Sequence, residues 1–230
     1  MADTERAALT PEEVLELADW RRRVQDLYAS VRRMIRSDPV AAHALWRSER
    51  ERLYREHSQS PVPPAGRDAF RALHFAHHPA LSFEVPIEPD PTAWSREAPA
   101  GDGAVSALPV STGGEMVFHR IGWADVPFPS GRRRLSVYWL EGYAGGLFLP
   151  FRDKTNGDET YGGGRYLLDS AKSADLGGDP VRGTLILDFN FAYHPSCAFD
   201  PRWTCPLSPP ENRLDIPIRA GERLALSLIH

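Results

Sequence analysis

Two stretches of the chain put chemistry-bearing residues where strands would otherwise be read: FRDKTNGDETYGGGRYLLD (151–169) and LILDFNFAYHPSCAFDPRWTCPLSPPENR (185–213). Arg152, Asp153, Thr160, Tyr161, Arg165, Asp188 and Asn190 all fall in them. A buried polar group needs a partner, and a strand glycine forfeits packing, so a purely structural sheet has little use for this composition. Asn156-Gly157 is the strongest turn signal, because a type I′ hairpin needs positive φ at both central residues. Counting outward from such a turn sets Lys154 against Glu159, Arg152 against Tyr161 and Phe151 against Gly162. The alternation then places Arg152, Tyr161 and Arg165 on one face, with Asp153 and Thr160 on the other. Two guanidinium forks and a phenol suit a carboxylate or a phosphate. On this reading Thr160 and Asn190 add ligand contacts, and Asp153 or Asp188 is the general base if chemistry occurs, since a sheltered carboxylate can have its pKa raised. The competing reading makes both arginines structural, held by Asp188 or Asp169 and by backbone carbonyls.

His194, Cys197 and Cys205 offer three soft ligands of the kind zinc takes. The H-x2-C-x7-C spacing matches no strong zinc signature and leaves the fourth ligand unassigned, so no metal is assigned and the cofactor is unknown. Cys197 assisted by His194 is an alternative nucleophile. The plainer reading has two small core residues anchoring the proline-rich crossing from Pro195 to Pro210, close enough to oxidise under stress. His74, His77, His78 and His119 read as scattered histidines rather than ligands. Gly162 to Gly164 lack the Lys-Ser/Thr of a phosphate loop and read as a bulge or a close strand contact.

The elements that must position these residues divide the chain. Residues 10–57 contain no glycine; Thr10-Pro11-Glu12-Glu13 is a capping box, and Leu17, Trp20, Val24, Leu27, Val31 and Met34 repeat at helical spacing. Asp38-Pro39 restarts the pattern for a second helix over about 39–57, so residues 1–60 read as a helical hairpin extension and 61–230 as a β-rich domain. The arginines of these helices interleave with acids and read as a solvated face. Strands are expected near 81–87, 104–111, 115–121, 133–141, 146–155, 158–168, 183–193 and 223–229, with a short helix or strand lead-in at 68–73 and a long loop over 88–103. No regular helix–strand alternation separates them, so the fold class is mainly β, an antiparallel barrel or sandwich behind an N-terminal helical segment.

With 230 residues, 42% of them hydrophobic, the chain can bury one full core, and a net charge of −4 argues against a whole-domain nucleic-acid binder. No apolar run reaches the length of a membrane span and no secretory signal is visible, which predicts a cytoplasmic protein that does not engage a membrane. Two cysteines make no disulfide framework. The function expected is an anionic small-molecule binder, with an enzymatic role left open. Its alternatives are a noncatalytic scaffold that docks a partner through the N-terminal helices, and a zinc-dependent enzyme. Association into a homo-oligomer is left open.

The two stretches, the second running on through LDIPIRAGE, resemble the signature of the bacterial and archaeal domain-of-unknown-function family 1684, with fainter likeness in WRSERERLYREHSQSP (46–61). The resemblance implies a recurrent β-rich domain after a helical or variable N-terminal segment, and carries no established activity. It also implies that Asn is usual where this chain has His194, which speaks against a metal or catalytic role there.

Overall fold

A computed structural model describes residues 10–92, 105–143 and 145–224. Two helices come first, α1 (Pro11–Met34) and α2 (Pro39–Glu56). The capping box closes as the sequence predicts: Glu13 N–H donates to Thr10 Oγ1 at 3.2 Å and Thr10 N–H to Glu13 Oε2 at 2.8 Å. Asp38 caps α2 through Ala41 N–H at 2.9 Å. Among the described residues ten strands follow: β1 (Leu73–His74), β2 (Ser82–Pro89), β3 (Val105–Pro109), β4 (Glu115–Phe128), β5 (Gly131–Leu140), β6 (Gly146–Phe151), β7 (Arg165–Asp169), β8 (Gly178–Asp179), β9 (Thr184–Asp188) and β10 (Glu222–Arg223).

Eight of them form one antiparallel sheet, ordered β7-β6-β5-β4-β2-β9-β8 with β3 beside β4, curled into a half-barrel. Strands β1 and β10 pair separately. The long strand β4 serves two partners on one edge, β3 along its first half and β2 along its second, and its register shifts at Arg120–Gly122 between them. Gly122 is required there, because a Cβ would stand 2.2 Å from Glu88 O.

Side chains alternate across the sheet, so each face builds its own core. Leu135, Val137, Leu149 and Phe151 join Val85, Leu187, Phe189, Leu214 and Ile218 on one side. Phe118, Tyr138 and Phe148 meet Leu27, Tyr28, Val31, Ala42 and Trp46 on the other. The apolar stripe of the helices is thus spent on the sheet, and Trp46 Nε1 donates to Tyr28 OH at 3.1 Å within that core. Among the described residues no helix is long and apolar enough to cross a membrane.

Several expectations need correction. The strand expected over 183–193 stops at Asp188, because its Oδ1 accepts Asn190 N–H at 2.9 Å and starts a 3₁₀ turn over Phe189–Phe191. Of the strand expected over 158–168 only residues 165–168 form one, the first four of β7. The stretch 68–73 makes no helix and is the lead-in to a strand, a turn and open chain that run from the 3₁₀ turn at Pro64–Gly66 into β1. Most of the strand expected over 223–229 and most of the loop over 88–103 lie outside the described residues.

Candidate functional site

The segment between β6 and β7 is not the hairpin that Asn156-Gly157 suggests. Gly157 has φ +83°, but Asn156 does not share it, so the type I′ turn is not made. Short polar side chains take over the backbone groups a ladder would use. Asn156 Oδ1 accepts Asp153 N–H, while its Nδ2 donates to Tyr161 O at 2.6 Å and to Thr160 Oγ1 at 3.2 Å. Thr155 O accepts Glu159 N–H at 2.9 Å and Thr160 N–H at 3.0 Å. The pairings counted from a hairpin therefore do not form: Phe151 lies opposite Arg165, and Arg152 opposite Arg213.

This loop separates the two arginines expected together. Arg165 is fully buried against Asp153, with Nη2 to Oδ2 at 2.7 Å. Its Nη1 and Nη2 also donate to the carbonyls of Ile218 at 2.7 Å, Glu222 at 3.1 Å and Ala220, while its Nε is buried without a partner. Asp153 Oδ1 accepts both the N–H and the hydroxyl of Thr155, and Thr160 is sealed beside them through Thr155 Oγ1 at 2.9 Å. Arg165 is thus held by a carboxylate and by backbone carbonyls, as the structural alternative describes, with Asp153 in place of Asp188 or Asp169. Asp188 and Asn190, also fully buried, tie β9 to the chain before β2: Asn190 Oδ1 accepts His78 N–H at 2.7 Å and Nδ2 donates to Asp188 Oδ1 at 2.8 Å. Burial raises the Asp188 pKa, with the Asn190 amide working against it. Neither carboxylate faces Arg152.

Arg152 is brought instead to Arg213. Asn212, buried and unseen by sequence reasoning as a positioning group, donates through Nδ2 to Ser136 O at 2.9 Å and Pro150 O at 2.8 Å, and accepts Ser136 N–H at 2.7 Å. It thereby pins its own chain beside the end of β6, where Arg152 N–H donates to Asn212 O at 3.0 Å and Leu214 N–H to Arg152 O at 2.7 Å. Directly paired residues point the same way. Among the described residues neither arginine makes an ion pair: Asp153, next to Arg152, is taken by Arg165, and Glu211 and Asp215, each two residues from Arg213, by Tyr138 OH at 2.6 Å and by Arg133. Burial first, and the Arg213 charge second, lower the pKa of Arg152. Its Nε is buried with no hydrogen-bond partner, and so is the hydroxyl oxygen of Ser208, a residue 5% exposed.

The glycine triplet shapes this corner. Gly164 has φ +102°, and a Cβ on it would meet Ser208 Cβ at 3.1 Å and Arg152 Cγ at 3.2 Å, so the serine and the arginine flank it. A Cβ on Gly163 would fall 2.3 Å from the Tyr161 ring. Tyr161 thus lies over the triplet beside Arg152. Its pKa is raised, by burial first and then by the Cys197 thiol. The spacing of Arg213 from Arg152 gave sequence reasoning nothing to count from.

His194 belongs to a separate buried network. Its N–H donates to Glu222 Oε2 at 2.8 Å, its Nε2 accepts Tyr161 N–H at 3.3 Å, and Glu222 Oε1 takes Arg50 Nε at 2.8 Å. Burial holds the imidazole neutral, with a pKa down to about 3. Among the described residues no group of three or more His, Cys, Asp or Glu side chains is arranged to hold a metal, so His194, Cys197 and Cys205 do not assemble as ligands. Both cysteines are free and buried, with Cys197 N–H donating to Cys205 Sγ at 3.3 Å.

Two comparisons place the chain among known proteins. The model of a family described as Protein of unknown function (DUF1684) matches residues 70–223. The solution NMR structure of an uncharacterised protein of Haloarcula marismortui is similar at 31% identity, over 77% of this chain and 90% of that one, with a TM-score of 0.53. No curated protein matches.

Proposed function

This chain belongs to the DUF1684 family, and from its geometry we propose that it binds an anionic small molecule, bearing a carboxylate or a phosphate, at Arg152 and Arg213. The observation that carries the reading is the guanidinium pair itself, two like charges held side by side with no acid among the described residues on either and with a buried Arg152 Nε left without an acceptor. Leaving a buried donor unmade costs about 1–3 kcal/mol, and placing two cations together adds repulsion, so an arriving anion relieves both. Ser208 stands beside the pair as a hydroxyl donor to the same guest, and the Tyr161 ring walls the glycine triplet next to it. Arg165, Thr160 and Asn190 support the surrounding loops instead of touching it, and Asp153 and Asp188 are committed to partners of their own. The reading is therefore of recognition, with Arg213 exposed at the entrance and Arg152 half-buried behind it.

The test is a titration with inorganic phosphate and with acetate, followed by amide chemical shifts in low-salt buffer. Shifts confined to 152, 161–164, 208 and 213 are expected, weakening as salt rises. One charge-assisted hydrogen bond is worth about 1.5–3 kcal/mol, so Arg213→Gln should weaken phosphate binding about tenfold or more. Shifts centred elsewhere, or an Arg213→Gln titration matching the unsubstituted chain, would remove the proposal.

A further inference from the structure

We propose that Cys197 and Cys205 form a reversible dithiol–disulfide pair, oxidised by a hydroperoxide that reaches them through the cavity between the helices and the sheet. The backbone already holds both residues for closure. Cys197 sits in a 3₁₀ turn, Ser196–Ala198, closed by Ala198 N–H to Pro195 O at 3.0 Å. Cys205 is clamped on both sides by Ser111, whose Oγ accepts its N–H at 3.0 Å and whose N–H donates to its carbonyl at 2.9 Å. Between them Cys197 N–H meets Cys205 Sγ at 3.3 Å. The Cys197 Cα is one bond, about 1.5 Å, from that nitrogen, so the Cys205 sulfur lies within about 5 Å of it, in the range from which a disulfide can be closed.

Access comes from a cavity of about 200 Å³ whose wall includes Cys205, Trp203, Tyr166 and Lys172 on one side and Trp20 and Tyr54 on the helices; Cys197 does not itself line it but follows Ser196, which does, and its N–H rests on the Cys205 sulfur. Its volume is several times the about 30 Å³ that a water molecule takes in the liquid, enough for a small peroxide. Reactivity comes from the neighbours: the Cys205 thiol, and after it the Ser111 and Tyr161 hydroxyls, hold the Cys197 pKa down to about 6 against burial. The Cys205 thiol is pushed up by the Cys197 sulfur beside it. One sulfur is thus the thiolate nucleophile and the other keeps its proton until needed, the arrangement of an attacking and a resolving cysteine.

The reaction balances with the hydroperoxide as oxidant. Cys197 thiolate attacks the terminal peroxide oxygen, the O–O bond breaks, and the alkoxide leaves as alcohol after taking a proton, giving a sulfenic acid on Cys197. Cys205 then loses its proton and attacks that sulfur; the S–O bond breaks and hydroxide leaves as water. Two thiols and one hydroperoxide become one disulfide, one alcohol and one water. A small thiol of the glutathione class reverses it by exchange.

The test uses the full chain, reduced and then exposed to hydrogen peroxide. Expected are a monomer lighter by two hydrogens, a peptide linking Cys197 to Cys205, full recovery with dithiothreitol, and consumption at least about tenfold faster than free cysteine at the same pH. Cys205→Ser should accumulate a dimedone-reactive sulfenic acid on Cys197, while Cys197→Ser should not react at that rate. Persistence of both thiols while free cysteine is consumed, or linkage only between chains, would overturn the proposal. The unsubstituted chain alone decides those outcomes should a serine variant fail to fold.

Discussion

Replacing Asp153 by Asn isolates the charge that answers Arg165. The two side chains have the same shape, and Asn Oδ1 can still accept from Thr155 N–H and Oγ1, so the loop keeps those bonds. What changes is the atom 2.7 Å from Arg165 Nη2, which becomes a donor facing a donor. The three carbonyls of Ala220, Glu222 and Ile218 still receive the fork, but no negative charge remains beside a side chain with no solvent exposure. Breaking a buried pair by removing one partner costs about 3–5 kcal/mol, a large share of the about 5–15 kcal/mol that keeps a domain folded. With a urea slope of about 2.5 kcal/mol per molar, the unfolding midpoint should fall by about 1–2 M. The thermal midpoint should drop by about 6–20 °C, at about 2–4 °C per kcal/mol for a chain of this size. Asp215→Asn is the control, since that carboxylate pairs with Arg133 in the open and its loss should leave the midpoint nearly in place. A loss under about 1 kcal/mol for Asp153→Asn would refute the reasoning, because it would mean that Arg165 is neutralised by something other than this carboxylate.

Two further outcomes follow from the interior. His194 has its pKa lowered to about 3, below the about 6.5 of an unfolded chain, so the unfolded state takes up a proton that the folded state refuses between those values. Stability is therefore full above about pH 6.5 and falls as the pH drops, by up to about 1.4 kcal/mol per unit; His194→Asn should flatten that slope in urea melts run from pH 7 to 4, leaving His43, held down to about 4 by burial, as a remaining contributor. Gly122→Ala should cost about 1–3 kcal/mol in the same melts, because its Cβ would meet Glu88 O at 2.2 Å where β4 changes partners; an unchanged midpoint would show that the strands part freely there.

What could be read in advance was what depends on neighbours along the chain. The capping box at Thr10, the restart at Asp38-Pro39 and the stripe through Leu27 and Val31 use spacings of three and four, and the helices begin where those residues say. The strands from β2 to β6 were visible as short apolar runs between turn residues, the mark of a sheet with a core on each side. Asn156-Gly157 misled because the asparagine side chain found better partners in Tyr161 O and Thr160 than a turn could offer, and a count from that turn then set Arg165 beside Arg152. The actual neighbour, Arg213, arrives through Asn212 reaching across to Ser136 and Pro150, a tertiary clasp with no local signature. The polar stretch was correctly marked as unusual, yet much of its polarity serves to hold loops in place.

The contact of Arg50 with Glu222, and of β1 with β10, bears on how the molecule is made on the ribosome. Residues from the first helical layer wait for residues that leave the exit tunnel more than a hundred and fifty codons later. Until then Arg50 has no counter-charge, and the aromatic core that Trp46 enters lacks Tyr166, Phe191 and Tyr193. Such long-range closure makes folding a late event rather than a progressive one. A nascent chain arrested before Glu222 should accordingly remain protease-sensitive along α2, and gain protection only when the last pairing strand has emerged.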